Sequence, residues 1–469
     1  MATCSRAAAI SSRFGVVPND LWSLIFRVLP KLLGLPVSLL KKFRKDKRSH
    51  RPPTELETTA VPATLPELPQ DVLMHIFATL EIPDLVRAGS VCSSWHSAYT
   101  CLRDLGKYKQ TPCLIYTYKS AGENVACLYS LVEDRTYKLT LPKPPIRRRY
   151  LIGSSNGWLI TADERSELHL VNPITGEQVD LPSVTTIEQV KPITDRSGVI
   201  RKYQLSSYTG QRDEKRSWIY ALDELRGYLY FKAFVFHDPC TGSYIVVLIH
   251  DPYFQLSFAR AGDDRWTWLP LNTFYRDCMY MDGLLYALTV YGEINAFDLS
   301  ASTVTMKVIM NKVRREYYGI SSCCYIVAAP WGGLLHVWRT FSVPEQKDED
   351  THQLWPCFYT TEVTVHEVDF KAKQLVEAKS LSNHVLFLGD NNSMCLCCDE
   401  HPQLKANHVY FTDNRRPPVS VKSLPRDIVV MDLENNNRSR IASRNWSFVW
   451  PWPTWITPNL TRMDSAFSK

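Results

Sequence analysis

The sequence predicts a mainly β protein in which a β-propeller of six or seven blades follows a small all-α unit and a basic N-terminal extension. Short runs of Val, Ile, Leu and Tyr recur after residue 111, and a Gly-Leu-Leu type of phrase returns along them. Repeated units of roughly 40–60 residues with three or four strands are typical of propeller blades, since each blade buries its faces against its neighbours. A pair of β-sandwiches is the competing architecture, but it does not explain the repeated phrase.

Residues 1–64 are predicted to form an extension and linker that hold most of the positive charge. Residues 1–51 contain eleven Lys or Arg against Asp20 and Asp46, a local balance of +9, whereas the whole chain carries +6. The remaining chain is therefore near −3. Because it lacks a basic stripe, we expect no nucleic-acid partner.

Residues 21–48 combine an apolar stretch with a basic cluster. Arg27, Pro30, Lys31 and Pro36 interrupt the apolar part, so a bilayer span is disfavoured against a surface-lying segment. A helix packed on the following unit or an unstructured tail is the favoured reading, and membrane contact is the less favoured one. We expect a location in the nucleus, the cytoplasm or both, with an organellar or membrane-associated location through this extension as the alternative.

Residues 65–110 are predicted to form two or three short amphipathic helices. Apolar residues occupy one helical face at the following positions: Val72, Leu73, Ile76, Phe77 and Leu80. Pro69 suits the first turn of a helix, a second start lies at Pro83, and Gly89-Ser90 divides the run. A unit this small buries too little surface to be stable alone, so its apolar face needs a partner.

The order of these residues resembles the F-box motif. The match runs through Leu68-Pro69-x-Asp71-Val72-Leu73, Ile76-Phe77-x-x-Leu80, Asp84-Leu85-x-Arg87 and Val91-Cys92-x-x-Trp95. The resemblance implies docking onto the Skp-type adaptor of a cullin-based ubiquitin ligase. The matching adaptor-binding positions are Leu68, Pro69, Leu73, Ile76, Leu80, Leu85, Val91, Cys92 and Trp95. Ser93 departs from the basic residue that the family often carries, and an ordinary helical hairpin is the alternative reading.

Residues 111–459 are predicted to form the propeller, with 460–469 as a C-terminal tail. The predicted strands are 113–118, 126–131, 137–141, 157–160, 168–171, 228–236, 243–250, 266–269, 283–286, 294–299, 303–309, 332–337, 363–370, 374–381, 409–411 and 428–433. Two long polar stretches, 195–215 and 343–355, are predicted to be surface loops.

Several phrases of this region are similar to those of plant F-box proteins whose C-terminal half is a KIB-type β-propeller. They are Gly157-Trp158-Leu159, Asn172-Pro173-x-Thr175-Gly176, residues 386–393, residues 404–414 and residues 453–458. The resemblance covers about residues 65–458. These phrases describe the scaffold of the propeller and do not identify a substrate.

The sequence contains no convincing catalytic or metal-binding constellation. Cys395-x-Cys397-Cys398-x-x-His401 has a metal-like spacing, but its alternation with Met394 and Leu396 favours a strand with buried thiols over a zinc site. The common nucleophile, metalloprotease and phosphate-loop motifs do not occur. We therefore expect no catalytic residue, no metal and no cofactor.

The predicted function is that of a non-catalytic substrate-recognition subunit of an SCF-type (Skp-cullin-F-box) ubiquitin ligase. The helical unit would dock to the Skp-type adaptor and through it to cullin, and the propeller would bind an unidentified target protein. The alternative is a non-catalytic scaffold, or an organelle- or membrane-associated binding protein, with a degenerate F-box.

Overall fold

The computed structural model describes residues 68–118, 121–210, 216–238, 242–269, 274–300, 303–313, 321–347, 352, 354–412, 426–441, 451–461 and 463. The chain divides into two compact units between Gln110 and Thr111. The predicted extension 1–64, the segment 21–48 and the first three residues of the predicted helical unit lie outside the described residues. In the described part of the chain, no helix has the length and apolarity needed to cross a bilayer.

Over its described residues, 68–110, the first unit contains three short helices. They are α1 (Gln70–Phe77), α2 (Ile82–Ala88) and α3 (Ser93–Asp104). Asp71 lies in the first turn of α1, where the helix dipole favours an acidic side chain. Pro83 lies near the start of α2, where the missing N–H of proline costs no helical hydrogen bond. The predicted division at Gly89-Ser90 is the end of α2.

The second unit is mainly β, as predicted. Its first half comprises β1 (Cys113–Tyr116), β2 (Val125–Ser130), β3 (Arg135–Thr140), β4 (Tyr150–Ser155), β5 (Trp158–Ala162), β6 (Leu168–Val171), β7 (Gln178–Asp180), β8 (Val190–Thr194), β9 (Ile200–Ser206), β10 (Ser217–Ala221), α4 (Leu225–Leu229), β11 (Tyr230–Asp238), β12 (Ser243–His250), β13 (Gln255–Arg260) and β14 (Thr267–Leu269). Short 3-10 turns lie at Ile146–Arg148 and Val184–Thr186.

The second half continues in the same manner. It comprises β15 (Tyr275–Met281), β16 (Leu284–Thr289), β17 (Ile294–Asp298), β18 (Thr305–Met310), β19 (Ser322–Ala328), β20 (Leu334–Ser342), β21 (Glu345–Lys347), β22 (Leu354–Pro356), β23 (Tyr359–Asp369), β24 (Gln374–Glu377), β25 (His384–Leu388), β26 (Met394–Cys397), β27 (His408–Phe411), β28 (Val429–Asp432), β29 (Arg438–Arg440) and β30 (Thr454–Ile456).

Within the described residues, six sheets of four or five strands form the propeller. In order they are blade 1 (β3-β2-β1-β30), blade 2 (β4-β5-β6-β7), blade 3 (β11-β12-β13-β14), blade 4 (β15-β16-β17-β18), blade 5 (β19-β20-β23-β24) and blade 6 (β26-β25-β27-β28-β29). Strand β30 of blade 1 contacts β4 of blade 2, and further contacts join β4 to β11, β11 to β15, β15 to β19 and β19 to β26. These six strands therefore surround the propeller axis, and the predicted six or seven blades are six.

The last strand closes the ring. Strand β30 pairs with β1 in antiparallel fashion, with Leu114 opposite Trp455, so the two ends of the unit share blade 1. Trp455 is fully buried and packs edge-on against Phe387 of blade 6, with ring centroids 5.1 Å apart. Leu460 and Met463, which follow the predicted propeller end at residue 459, are buried as well.

Two stretches that are predicted to be surface loops contain strands. Residues 195–215 include strand β9, in which Tyr203 and Leu205 point inward and are buried. The charged neighbours Arg201 and Lys202 mask this alternation in the sequence. Residues 343–355 include β21 and most of β22, which form a hairpin with Glu345 opposite Pro356. That hairpin is mostly exposed, so its sequence lacks the apolar alternation by which a strand is recognised.

The turn at residues 172–176 is held by a buried side chain. Asn172 Oδ1 accepts hydrogen bonds from the amides of Ile174 at 2.9 Å and Thr175 at 3.1 Å. Asn172 Nδ2 donates to the carbonyl oxygen of Asn459 at 3.0 Å, which ties the C-terminal segment to blade 2. The turn phrase thus serves the closure of the propeller.

Replacing Asn172 with alanine is expected to lower the free energy of unfolding by about 1–3 kcal/mol, because buried amides lose their acceptor. The exposed Asn435, whose Oδ1 accepts from the Asn437 amide, provides the control. Asn435→Ala is expected to cost less than about 0.5 kcal/mol, since water replaces the lost bond. Equal losses in urea denaturation would contradict the assigned role of burial.

Candidate functional site

The first unit presents an apolar strip along α1. Leu68 and Val72 are 42% and 40% exposed, and Ile76 and Leu80 are partly exposed. These residues are four apart, which is the spacing of one helix face, although Leu68 and Leu80 flank the helix itself. We call Leu68, Pro69, Val72, Ile76 and Leu80 the α1 strip. It offers a partner a continuous apolar surface.

Leu73 and Leu85 do not belong to this surface. They are 1% and 0% exposed, together with the buried Phe77. Both are predicted adaptor-binding residues, but neither side chain reaches the surface of the unit, so neither can contact a partner directly. Their role is to hold α1 and α2 in place so that the α1 strip faces outward.

A second group of predicted residues lies at the start of α3. Cys92 is exposed and precedes the helix, while Val91 and Trp95 are partly exposed. The Trp95 ring packs edge-on against Phe77 with centroids 5.2 Å apart, so it joins α3 to α1. Trp95 is therefore both a core residue and a surface residue. Ser93, where the family often has a basic residue, is exposed.

Val72 is a surface residue that the predicted adaptor-binding set does not contain. Its exposure, 40%, is close to the 42% of Leu68, and it lies one turn before Ile76. The signal was present in the sequence, because the spacing from Leu68 through Val72 to Ile76 is that of a single helix face. The sequence pattern places Val72 on the same apolar helical face as Leu73, and the structure separates the two, since Val72 is exposed and Leu73 is buried.

The propeller axis contains a buried ion pair. Lys232 Nζ of β11 lies 2.7 Å from Asp277 Oδ1 of β15, and both side chains are almost fully buried. Asp277 Oδ2 also accepts from the Ile326 amide at 3.1 Å and from Ser393 Oγ at 3.0 Å. Burial raises the pKa of Asp277, and the Lys232 ammonium group opposes that rise. The pair joins blades 3, 4, 5 and 6.

Irregular pairing turns these side chains toward the axis. The register of β11 shifts between Tyr230 and Lys232, and that of β15 shifts between Tyr275 and Asp277. A third shift, in β4, precedes Gly153. A bulge of this kind re-aims the residues that follow it. Blades 2, 3 and 4 therefore use the same device at the same place.

The segment Gly389–Ser393 crosses the axis from blade 6. The Gly389 carbonyl oxygen accepts from Lys232 Nζ at 3.0 Å, and the Asn392 amide donates to the Ser154 carbonyl oxygen at 2.7 Å. A Cβ atom on Gly389 would lie 2.1 Å from Thr412 Oγ1, and one on Gly153 would lie 2.5 Å from the Ala233 carbonyl oxygen. Both positions need glycine, because a Cβ atom would clash with the Ala233 backbone at residue 153 and with the Thr412 hydroxyl at residue 389.

A further buried network joins blade 5 to blade 6. Arg339 Nη2 lies 3.0 Å from Asp427 Oδ2, which also accepts from the Thr360 amide at 2.8 Å. Arg339 Nη1 donates to the Thr412 carbonyl oxygen at 2.9 Å. These charges are paired and enclosed. They stabilise the scaffold and offer no opening to a substrate.

The cysteine cluster does not assemble a metal site. Cys395 lies in β26, where burial raises the pKa of its thiol to about 12. His401 Nδ1 lies 3.2 Å from Thr111 Oγ1. Among the described residues, no three His, Cys, Asp or Glu side chains come together as a metal site would require.

Comparison with known families supports both the F-box-like helical unit and the β-propeller. Residues 65–101 match the F-box-like family, and residues 128–437 match the KIB1-4 beta-propeller family. F-box protein At5g25290 of Arabidopsis thaliana is 24% identical over 394 residues, which cover 80% of this chain and 92% of that protein. F-box protein SKIP23 of the same plant is 25% identical over 419 residues, which cover 85% of this chain and 96% of that protein.

Among solved structures, the Cps50 (Swd1) β-propeller domain of Myceliophteria thermophila aligns with a TM-score of 0.25 and 8% identity over 56% of this chain and 84% of that chain. The family match to the propeller spans more than half of the 469 residues. With the F-box-like match in front of it, it confirms the resemblance drawn from the sequence. The chain belongs to the KIB1-4 beta-propeller family and is a plant F-box protein with a C-terminal propeller.

Proposed function

We propose that this protein is a non-catalytic substrate-recognition subunit of an SCF-type ubiquitin ligase. The observation that supports it most is the exposed α1 strip on an F-box-like helical unit. An apolar surface of this kind needs a partner, and in F-box proteins that partner is a Skp-type adaptor. The adaptor in turn would bring the chain to cullin.

The propeller would supply the second binding surface. Its axis is filled by paired charges and by residues 389–393, so the interior is devoted to stability. Target binding would then use the outer surfaces and edges of the blades. Ubiquitin transfer would follow from proximity, since a bound target is held at a high effective concentration near the conjugating enzyme.

Reconstitution tests this role. The full chain, a Skp-type adaptor of Arabidopsis thaliana and a cullin are mixed at micromolar concentration and separated by gel filtration with light scattering. We expect the chain to elute with cullin only when the adaptor is present, in equal stoichiometry. Elution of the chain apart from an intact adaptor–cullin complex would contradict the proposal.

A further inference from the structure

Strand β15 of blade 4 carries a buried arginine where its pairing is irregular. The register with β16 shifts between Tyr275 and Asp277, so Arg276 between them has no partner residue across the ladder. The Arg276 side chain is only 9% exposed. Arginine is rarely enclosed to this degree unless its charge is paired, because burying an unpaired charge is costly.

Two aromatic rings cover the guanidinium group of Arg276. Its central carbon lies 4.7 Å from the centroid of the Phe231 ring and 5.4 Å from that of the Phe254 ring. The two rings pack edge to face, with centroids 4.8 Å apart. We call these three residues the Arg276 stack. The rings attract the positive charge, but they provide no oxygen atom to accept the N–H hydrogen bonds of the guanidinium group.

The hydrogen-bond donors of Arg276 are unpaired and reach the surface. Within the described part of the chain, Arg276 has neither a hydrogen bond nor an ion pair, and none of its nitrogen atoms is sealed from solvent. By contrast, the buried Lys232 and Arg339 are each paired with a carboxylate of the chain. The acceptor that Arg276 lacks can therefore come from another molecule.

Asp251 is a carboxylate that acts on Arg276 without pairing with it. It follows β12, and its Oδ1 accepts from the Phe254 amide at 3.4 Å. Burial raises the pKa of Asp251 to about 6, and the Arg276 charge opposes that rise. Asp251 thus weakens the positive potential at Arg276 but leaves the donors unsatisfied. A ligand group with a single negative charge fits this balance better than a doubly charged phosphate group does.

Three aromatic residues beside the stack have left-handed backbone conformations. Their φ angles are 70° at Tyr253, 51° at Phe254 and 66° at Phe274. Bulky residues rarely adopt such angles, which cost of order 1–3 kcal/mol each and persist only where other contacts fix them. Here the Phe274 amide donates to the Tyr253 carbonyl oxygen at 2.7 Å, and the Tyr275 amide donates to the Phe254 carbonyl oxygen at 3.0 Å. These bonds fix the backbone that carries the Phe254 ring.

The side chains next to the stack are aromatic as well. Tyr253 is 43% exposed, and its ring packs edge-on against the half-buried Phe274 with centroids 6.1 Å apart. Phe274 packs in the same way against Tyr291, also at 6.1 Å. Aromatic surfaces of this kind bind apolar residues of extended peptides, prolines above all. The surroundings therefore favour a ligand group with apolar neighbours.

We propose that the Arg276 stack binds a carboxylate group of the target protein, carried by an Asp or Glu side chain with apolar neighbours. The planar guanidinium group would donate two parallel N–H bonds to the two carboxylate oxygens. Phe231 and Phe254 would shield this pair from water, which strengthens it. This inference rests on the proposed function, since it names the chemical group by which the target is held.

Calorimetric titration of peptides into the full chain tests the proposal. The probes are the capped heptapeptide Gly-Pro-Leu-Glu-Leu-Pro-Gly and the same peptide with Gln or phosphoserine in place of Glu. We expect the Glu peptide to bind and the Gln peptide to bind at least about tenfold more weakly, because it cannot form charge-assisted bonds. Absence of Glu-peptide binding up to about 2 mM peptide, or equal binding of the Glu and Gln peptides, overturns the proposal. Tighter binding of the phosphoserine peptide would assign the stack to phosphate and overturn it as well.

A variant of the chain tests whether Arg276 makes the contact. Arg276→Gln is expected to weaken Glu-peptide binding at least about tenfold and to leave Gln-peptide binding within about twofold. Arg135 of blade 1 also lies over a ring, that of Tyr137 at 5.1 Å, so Arg135→Gln is the matched control and should change neither affinity. If Arg276→Gln binds both peptides as the unaltered chain does, the assignment is wrong.

Asp251→Asn keeps the test valid even if Arg276→Gln fails to fold. The asparagine oxygen still accepts from the Phe254 amide, but the competing charge is gone. We expect Glu-peptide binding to strengthen at least about threefold and Gln-peptide binding to stay unchanged. A purely structural role of Arg276 predicts no such gain, so unaltered Glu-peptide binding in Asp251→Asn contradicts the proposal.

Two further measurements separate this inference from related explanations. Sedimentation equilibrium of the chain alone that shows a dimer lost in Arg276→Gln would assign the stack to a second copy and overturn the proposal. Adaptor binding is measured on the same samples, and the Arg276 and Asp251 variants should keep it. If peptide binding fails while adaptor binding stands, only this inference falls; if adaptor binding fails while peptide binding stands, only the ligase role falls.

Discussion

Replacing Lys232 with methionine is expected to lower the free energy of unfolding of the propeller by about 3–5 kcal/mol. Asp277 is fully buried, and its partner Lys232 is nearly so. Removing the ammonium group leaves a carboxylate that must either stay charged without its partner or take up a proton. The amide of Ile326 and the hydroxyl of Ser393 do not replace the lost charge.

A second substitution should recover much of this loss. In Lys232→Met with Asp277→Asn, no charge is buried, and the asparagine oxygen still accepts from the Ile326 amide and Ser393 Oγ. We expect the double variant to be more stable than Lys232→Met alone by at least about 1.5 kcal/mol in urea denaturation. Lys138→Met, an exposed control, should change stability by less than about 0.5 kcal/mol. A loss below about 1 kcal/mol for Lys232→Met would contradict the account of the axis.

The ion pair between Lys232 and Asp277 could not be predicted from the sequence, unlike most of the propeller. The repeated strands, the phrase at residues 172–176 and the mainly β class were all visible as patterns of residue type. Lys232 and Asp277 lie within strands whose other residues are mostly apolar, 45 positions apart, and only the register shifts before them turn both toward one axis. No local pattern encodes such a convergence.

The sheet of strands β8, β9 and β10 was missed for a different reason. Strand β9 alternates Tyr203 and Leu205 with charged and polar residues, and its length of seven residues is short beside the polar stretch around it. In the helical unit, by contrast, helical spacing correctly placed the three helices. Helical spacing does not tell which residues of an apolar face are exposed, so the predicted adaptor-binding set omits Val72, which is 40% exposed.

The variant Leu68→Asp with Val72→Asp is expected to weaken adaptor binding at least about 100-fold. Two charges at the centre of an apolar contact must lose their hydration without gaining a partner, which costs several kcal/mol. Because both side chains are exposed in the unbound chain, the fold should not change. Leu73→Ala would weaken binding too, but by destabilising the unit, since Leu73 is buried.

Leu105→Asp supplies the matched control for this prediction. Leu105 is an exposed apolar residue of the same unit, 57% accessible, and it lies at the end of α3 outside the α1 strip. The same chemical change there adds a charge without touching the proposed contact. Adaptor affinity should stay within about twofold of the unaltered chain.

The most direct test is isothermal titration of a Skp-type adaptor into the full chain, its Leu68→Asp/Val72→Asp variant and its Leu105→Asp variant, with circular dichroism melting of each sample. The account predicts tight binding by the unaltered chain and by Leu105→Asp, and binding at least about 100-fold weaker by the strip variant, at the same melting temperature. Equal affinity of all three chains, or no affinity in the unaltered chain, would contradict the claim that the α1 strip docks the protein to its ligase.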